Sequence, residues 1–246
     1  RVFARCRTRY RNVEKGRLKM LKWLIALPFA AFILFNAYVY GSILTYRAVA
    51  PHHSAFMTMR MNEFRSEGRE VALDYRWVPY NRISVNLKKA LIASEDAAFA
   101  EHGGFDWNGI RNAMRRNEQS GRIKGGGSTI SQQLAKNLFL NEWQSYIRKG
   151  EEAAITAMLE ATTDKDRIFE LYLNVIEWDY GVFGAEAASQ RFYRKPAATL
   201  SKQQAAALAA RVPAPLFYAD NPNSKRLRAK TNIILKRMGS AELPEE

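Results

Sequence analysis

Thiol and imidazole chemistry are nearly absent from this sequence. Its 246 residues hold one cysteine, Cys6, and three histidines, His52, His53 and His102. A single cysteine excludes an internal disulfide and a multi-cysteine metal site. There is no HExxH pair, and no serine stands in a GxSxG elbow, so neither a zinc-hydrolase helix nor that form of acyl transfer is available. The glycines at 125–127 are not followed by Gly-Lys-Ser/Thr, which excludes a Walker P-loop. Beyond residue 46 no convincing alternation of apolar and polar residues marks a strand. There is no internal repeat and no low-complexity segment.

Acidic residues are also scarce, 24 against 38 lysines and arginines, for a net charge of +14. The excess is local. Residues 1–22 carry +8, and Trp107–Lys149 carries +6 from eight Lys/Arg against Glu118 and Glu142. A concentrated positive field of that kind attracts an anionic partner. An apolar content of 47% is enough for a folded core rather than a disordered chain.

Charge is missing altogether from residues 23–46, WLIALPFAAFILFNAYVYGSILTY. As a helix this stretch spans roughly 36 Å, against about 30 Å of hydrocarbon. Pro28 and Asn36 weaken the pattern without forbidding a span. Trp23 at one end and Tyr38, Tyr40 and Tyr46 near the other suit the two interfaces. A cleaved signal peptide is the alternative, but its apolar core is usually about 7–15 residues and no small-x-small site follows. The expectation is a retained anchor with the basic residues 1–22 in the cytoplasm and the remainder outside.

After the anchor, residues 47–75 read as a juxtamembrane segment. AFMTMRMNEFR (55–65) either lies along a membrane surface or packs on its own domain. RWVPYNRIS (76–84) reads as an extended lead-in. From Ser84 the period is helical. Leu87, Leu91 and Glu95 share a face, so Glu95 ends an apolar stripe, where partial desolvation suits a carboxylate to proton transfer. WNGIRNAMRRN (107–117) predicts a short helix and NEQSGRIKGGG (117–127) a mobile loop. Ser128 or Thr129 caps a helix with Ile130, Leu134 and Leu138 buried and Gln132, Gln133 and Lys136 on another face. A glycine turn feeding that helix start is a candidate anion cradle.

The next helix runs from Tyr146 to Thr163 and places Arg148 and Lys149 one turn before Glu152, as a surface ion pair or something more. Asp164 is expected to cap the following helix. EWDYGVFG (177–184) reads as a turn, 185–193 as a helix, Ser201 and Gln204 as a capping box, and 212–222 as coil before a last basic helix. The fold class is mainly α: a helical domain over 76–246, behind a single transmembrane helix.

Two carboxylates, Glu95 as base and Glu152 as a second group, beside a cationic cluster, fit chemistry at a sugar anomeric carbon. If a sugar oxygen leaves, one carboxyl must act as an acid and no cation cluster is needed. If a diphosphate leaves, its charge must be met by Lys, Arg or a divalent cation. The +6 segment and the anchor favour the second.

At this point the motifs resemble a known family. EDAAFAEHGGFD (95–106), GGSTISQQLAKN (126–137), RKGEEAAITAMLE (148–160), RIFELYLNVIEWDYGVFGAEAASQRFY (167–193) and LSKQQAAALAARVPAP (200–215) are similar, in order, to the five blocks of monofunctional biosynthetic peptidoglycan glycosyltransferases. That family is shared with bifunctional class A penicillin-binding proteins. No transpeptidase block appears, so penicillin binding is not expected.

The resemblance implies a lysozyme-like fold and processive, inverting polymerisation of lipid II into β-1,4-linked glycan, releasing undecaprenyl diphosphate. It makes Glu95, Glu152 and Lys149 catalytic. Asp96, Phe99, His102, Ser128, Thr129, Gln132, Gln133, Lys136, Asn137 and Arg148 are its substrate-binding residues. From the residues alone, His102 reads as a structural hydrogen-bonding group at a helix end. The resemblance further implies a flap at 112–125, bilayer docking by 55–65, Mg²⁺ or Mn²⁺ as a candidate cofactor with Glu152 as its candidate ligand, and no organic cofactor. Implied partners are lipid II and the growing glycan, the bilayer, and other cell-wall synthesis or division proteins, but no nucleic acid. Gln144 stands where the family often has Arg, which puts a diphosphate contact in question. Gln204 stands where it usually has Glu. The rival readings are a membrane-anchored lysozyme-like muramidase or lytic enzyme, and a non-catalytic scaffold binding acidic lipid or nucleic acid.

Overall fold

A computed structural model describes residues 2–121, 127–141 and 145–244. Eleven α-helices are seen among them. The first, α1 (Val2–Tyr46), contains the apolar stretch and passes through Pro28 without a break. Lys22–Tyr46 is long and apolar enough to cross a membrane, with a mean hydropathy of 1.8. The Asn36 side chain donates to the Phe32 carbonyl at 2.9 Å and Ser42 to that of Tyr38, so these polar groups are satisfied within the helix. Trp23, Leu24, Leu27, Phe29 and Leu34 are all exposed. A stripe that apolar is costly in water and stable in lipid.

The chain divides into two compact units, residues 1–42 and 43–246. The second holds α2 (Ala55–Ser66), α3 (Val85–Glu95), α4 (Trp107–Ser120), α5 (Ile130–Phe139), α6 (Tyr146–Thr162), α7 (Lys165–Val175), α8 (Ala185–Tyr193), α9 (Lys202–Ala209), α10 (Pro215–Asp220) and α11 (Lys225–Arg237). It takes in residues 47–75, which the sequence pattern set apart. Of the two readings for 55–65, packing on its own domain is the one observed. Ser54 caps α2, and Phe56, Met57 and Phe64 are buried, with Phe56 edge-on to Phe183 and Phe64 against Tyr180. Those three side chains are therefore not available to a bilayer.

The core is built around α7, of which Ile168 through Val175 are all buried. Phe169 packs on Phe99, Tyr80 and Tyr172. α5 lies against α2, α6 and α7, while α3, α9 and α11 form a second packed group. The apolar stripes expected from spacing are all inward: Leu87 and Leu91 on α3, Ile130, Leu134 and Leu138 on α5.

Several local expectations are revised. The segment 177–184 is a hairpin, β2 (Glu177–Asp179) with β3 (Val182–Phe183), and β1 (Asp74–Tyr75) adds parallel to β3. Strands of two or three residues are too short to show alternation. α4 continues to Ser120 and ends on a left-handed Gly121, so the helix outruns the expected loop. Of the expected flap, residues 122–125 lie outside the described part. A helix, α10, interrupts the expected coil, with Pro215 in its first turn, where the missing N–H costs nothing. Asp164 sits at the start of α7 but its side chain makes no capping bond. The Ser201–Gln204 capping box is present.

Candidate active site

Helix α5 is the partition on which the site is built. Thr129 caps it, accepting from the Gln132 N–H at 3.2 Å, and Gln132 returns the bond to the Thr129 N–H at 3.1 Å. The Thr129 hydroxyl also donates to the Gly104 carbonyl at 2.7 Å. Both side chains are buried and engaged in this cap, so Thr129 and Gln132 fix the helix start.

Asp96 completes the arrangement. Its Oδ2 accepts from the Ile130 N–H at 3.0 Å. The helix start expected to cradle an external anion thus already holds the chain's own carboxylate. His102 orients that carboxylate. Its Nδ1 accepts from the Gly104 N–H at 3.1 Å, which leaves the proton on Nε2, directed at Asp96 Oδ1 at 2.9 Å. Both ring nitrogens of His102 are thus engaged within the chain. Phe99 is fully buried, edge-on to His102 and against Phe169.

Glu95 stands at the end of α3, immediately before Asp96, with its side chain only 10% exposed. Ser94 Oγ donates to Oε1 at 2.7 Å, and Lys230 Nζ lies 3.5 Å from the same oxygen. Gln133 Nε2 approaches Oε2 at 3.4 Å. Gln133 is held in turn by the Tyr172 hydroxyl, which donates to its Oε1 at 3.1 Å. Burial, followed by the neighbouring Glu95 and Asp96 carboxylates, pushes the Tyr172 phenol well above its usual range, so it remains a donor.

On α6 the second carboxylate is buried. Glu152 is 4% exposed. Its Oε2 accepts from Arg148 Nη1 at 2.7 Å and its Oε1 from Lys149 Nζ. The spacing therefore does not make a solvated surface pair, since its carboxylate is inside the protein. The two cations are unequal: the Arg148 side chain is 17% exposed and that of Lys149 46%. Lys149 also approaches Ser128 Oγ at 3.4 Å, just ahead of α5. A cavity of about 480 Å³ opens here, lined by Ser145, Tyr146, Arg148 and Lys149. Gln133 touches Glu95 and Ser128 touches Lys149, so the second sequence block joins the first and third. Asn137 is buried one turn beyond Gln133, and Lys136 places its ammonium 5.6 Å from the centre of the Phe56 ring.

Glu152 offers a divalent cation no open oxygen. Both Glu152 oxygens are taken by cations, and among the described residues no group of three or more His, Cys, Asp or Glu converges. Gln144 lies outside the described residues. Sequence reasoning missed Ser94, Tyr172 and Lys230. Tyr172 falls by spacing on the apolar face of α7, and Lys230 is one cation among many on a basic helix; neither carries a local signal.

Comparison with known proteins adds the family. The family profile described as Transglycosylase matches residues 62–239. A biosynthetic peptidoglycan transglycosylase of Neisseria meningitidis serogroup C is 80% identical over 227 residues, covering 92% of this chain and 97% of that protein. Those of N. meningitidis serogroup B and Neisseria gonorrhoeae are 78% and 77% identical over the same shares. The five motif blocks all fall inside the matched region, and the chain belongs to the transglycosylase family.

Proposed function

We propose that this protein polymerises lipid II into β-1,4-linked peptidoglycan glycan, as a processive inverting glycosyltransferase. The observation that carries this reading is a pair of groups that approach Gln133 of α5 and Ser128 just ahead of it. On one side is a nearly buried carboxylate, Glu95. On the other, Lys149 stands half exposed on the buried Glu152 beside an open cavity.

In this reading Glu95 takes the proton of the acceptor 4-hydroxyl. The oxygen attacks the anomeric carbon of the growing chain. The bond from that carbon to the diphosphate oxygen breaks with its electron pair, inverting α to β. The undecaprenyl diphosphate leaves with its added charge facing Lys149, and Glu152 holds that ammonium and Arg148 in place before the charge develops. Asp96, His102, Thr129 and Gln132 keep the first turn of α5 rigid, so Gln133 and Ser128 are presented on a fixed edge.

The lytic alternative asks for a carboxylic acid that donates a proton to a sugar oxygen. A carboxylate bound by two cations serves as a cation holder instead. The apolar span Lys22–Tyr46 supports membrane anchoring, and the eight basic residues ahead of it support a cytoplasmic N-terminus with the catalytic unit outside. The test is to give the protein labelled lipid II and, separately, finished peptidoglycan. Lysozyme-sensitive polymer from the first and no soluble fragments from the second is the expected result. Fragments without polymer would move the protein to the lytic class.

A further inference from the structure

We infer that Lys230 is a positioning residue for the base: with Ser94 it holds Glu95 Oε1, leaving Oε2 to receive the acceptor proton. The inference rests on the glycosyltransferase reading above and adds to it a residue from α11, 135 positions along the chain from Glu95. The two oxygens of Glu95 have different surroundings. Oε1 has a hydroxyl at 2.7 Å and an ammonium at 3.5 Å. Among the described residues Oε2 has only the Gln133 amide, at 3.4 Å, a weak contact that an acceptor hydroxyl readily replaces.

Lys230 is not an ordinary surface lysine. Its side chain is 28% exposed, packed where α11 meets α3. Burial lowers its ammonium from the usual lysine range, opposed by the attraction of and hydrogen bond to Glu95, with Arg226 as a like-charged neighbour that lowers it further. A partly desolvated cation is retained at a cost, and its ion-pair partner here is the carboxylate that does the chemistry. A carboxylate on the last residue of a helix is otherwise able to rotate about its side-chain torsions. A fixed charge at one oxygen removes that freedom and sets which lone pair points into the cleft.

The experiment compares full-length protein with Lys230→Gln and Lys230→Arg, all in detergent with labelled lipid II. Turnover and KM are measured together, beside the thermal midpoint of each variant. Lys230→Gln is expected to lose about 10- to 100-fold in kcat, with KM within about twofold and an unchanged midpoint. Lys230→Arg, which restores a cation at Oε1, is expected to recover most of the loss. Turnover of Lys230→Gln within about threefold of the parent would overturn the assignment. So would equal losses in both variants with lowered midpoints, which mark a purely structural lysine. Absence of polymer from the parent protein would overturn the functional reading, and this inference with it.

Discussion

In the proposed reaction the ammonium of Lys149 and the carboxylate of Glu152 divide one task between surface and interior. Glu152 is buried and Lys149 is half exposed, so the carboxylate acts as an internal counter-charge that aims the cation outward. Surface ion pairs of this spacing are worth well under about 1 kcal/mol and leave both groups mobile. Burial of one partner changes that, because an abandoned interior charge is costly. Lys149→Ala is accordingly expected to slow polymerisation by two or more orders of magnitude while lipid II still binds. Turnover near that of the parent would remove Lys149 from leaving-group stabilisation. The spacing of Arg148, Lys149 and Glu152 was legible in the sequence; the burial of Glu152 was not, because it depends on α5 and α7 packing over α6. The same holds at Glu95. Its apolar stripe pointed it inward, but the neighbours that distinguish its two oxygens come from α5 and α11, which local periodicity does not bring together.

At the scale of elements, α5 is the part whose placement matters most, and its first turn is anchored from three directions. Thr129 serves the cap and Gly104 at once, Asp96 takes the Ile130 N–H, and His102 holds Asp96. Thr129→Val keeps the shape and loses both hydroxyl bonds. It is expected to lower stability by about 1–2 kcal/mol, read by denaturant unfolding. A loss below a few tenths would show that the cap is redundant. Gly104 is a second point of control. Its φ of +88° is in the left-handed region, and an added Cβ would lie 2.8 Å from Glu160 Cγ and 2.9 Å from Thr156 Cγ2 on α6. Gly104→Ala is expected to cost more than about 1 kcal/mol and to reduce turnover, since it displaces α6 relative to the Asp96–His102 corner. An unaffected melting temperature would contradict this. Helix positions and their buried faces were readable from the 3.6-residue period. The short hairpin strands and α10 were not, because two- and three-residue strands carry no alternation and Pro215 marks a helix start as readily as a coil.

For the whole molecule, the boundary between anchor and catalytic unit does not coincide with the end of the apolar run. The second unit begins at Ile43. Tyr46 stacks on Phe139, and Arg167 donates to the Tyr46 and Val49 carbonyls while pairing with Glu170. A chain that starts at Ile43 is therefore expected to melt higher than one that starts at Arg47, and to polymerise lipid II in detergent while sedimenting less with vesicles than the full-length protein. Equal melting of the two truncations would show that Tyr46 adds nothing to the fold. Hydropathy alone placed the end of the span at residue 46, since composition reports what is apolar and not what is packed.

In the proposed reaction Glu95 is the base and the leaving group is a lipid diphosphate. The most direct test is polymerisation of labelled lipid II by the full-length protein beside Glu95→Gln, in detergent with Mg²⁺ present. The substitution keeps the size of the side chain and a hydrogen-bonding oxygen but removes the capacity to take a proton. Long glycan from the parent and none from the variant, with both folded and both binding lipid II, is the predicted result. Substantial polymer from Glu95→Gln would contradict it.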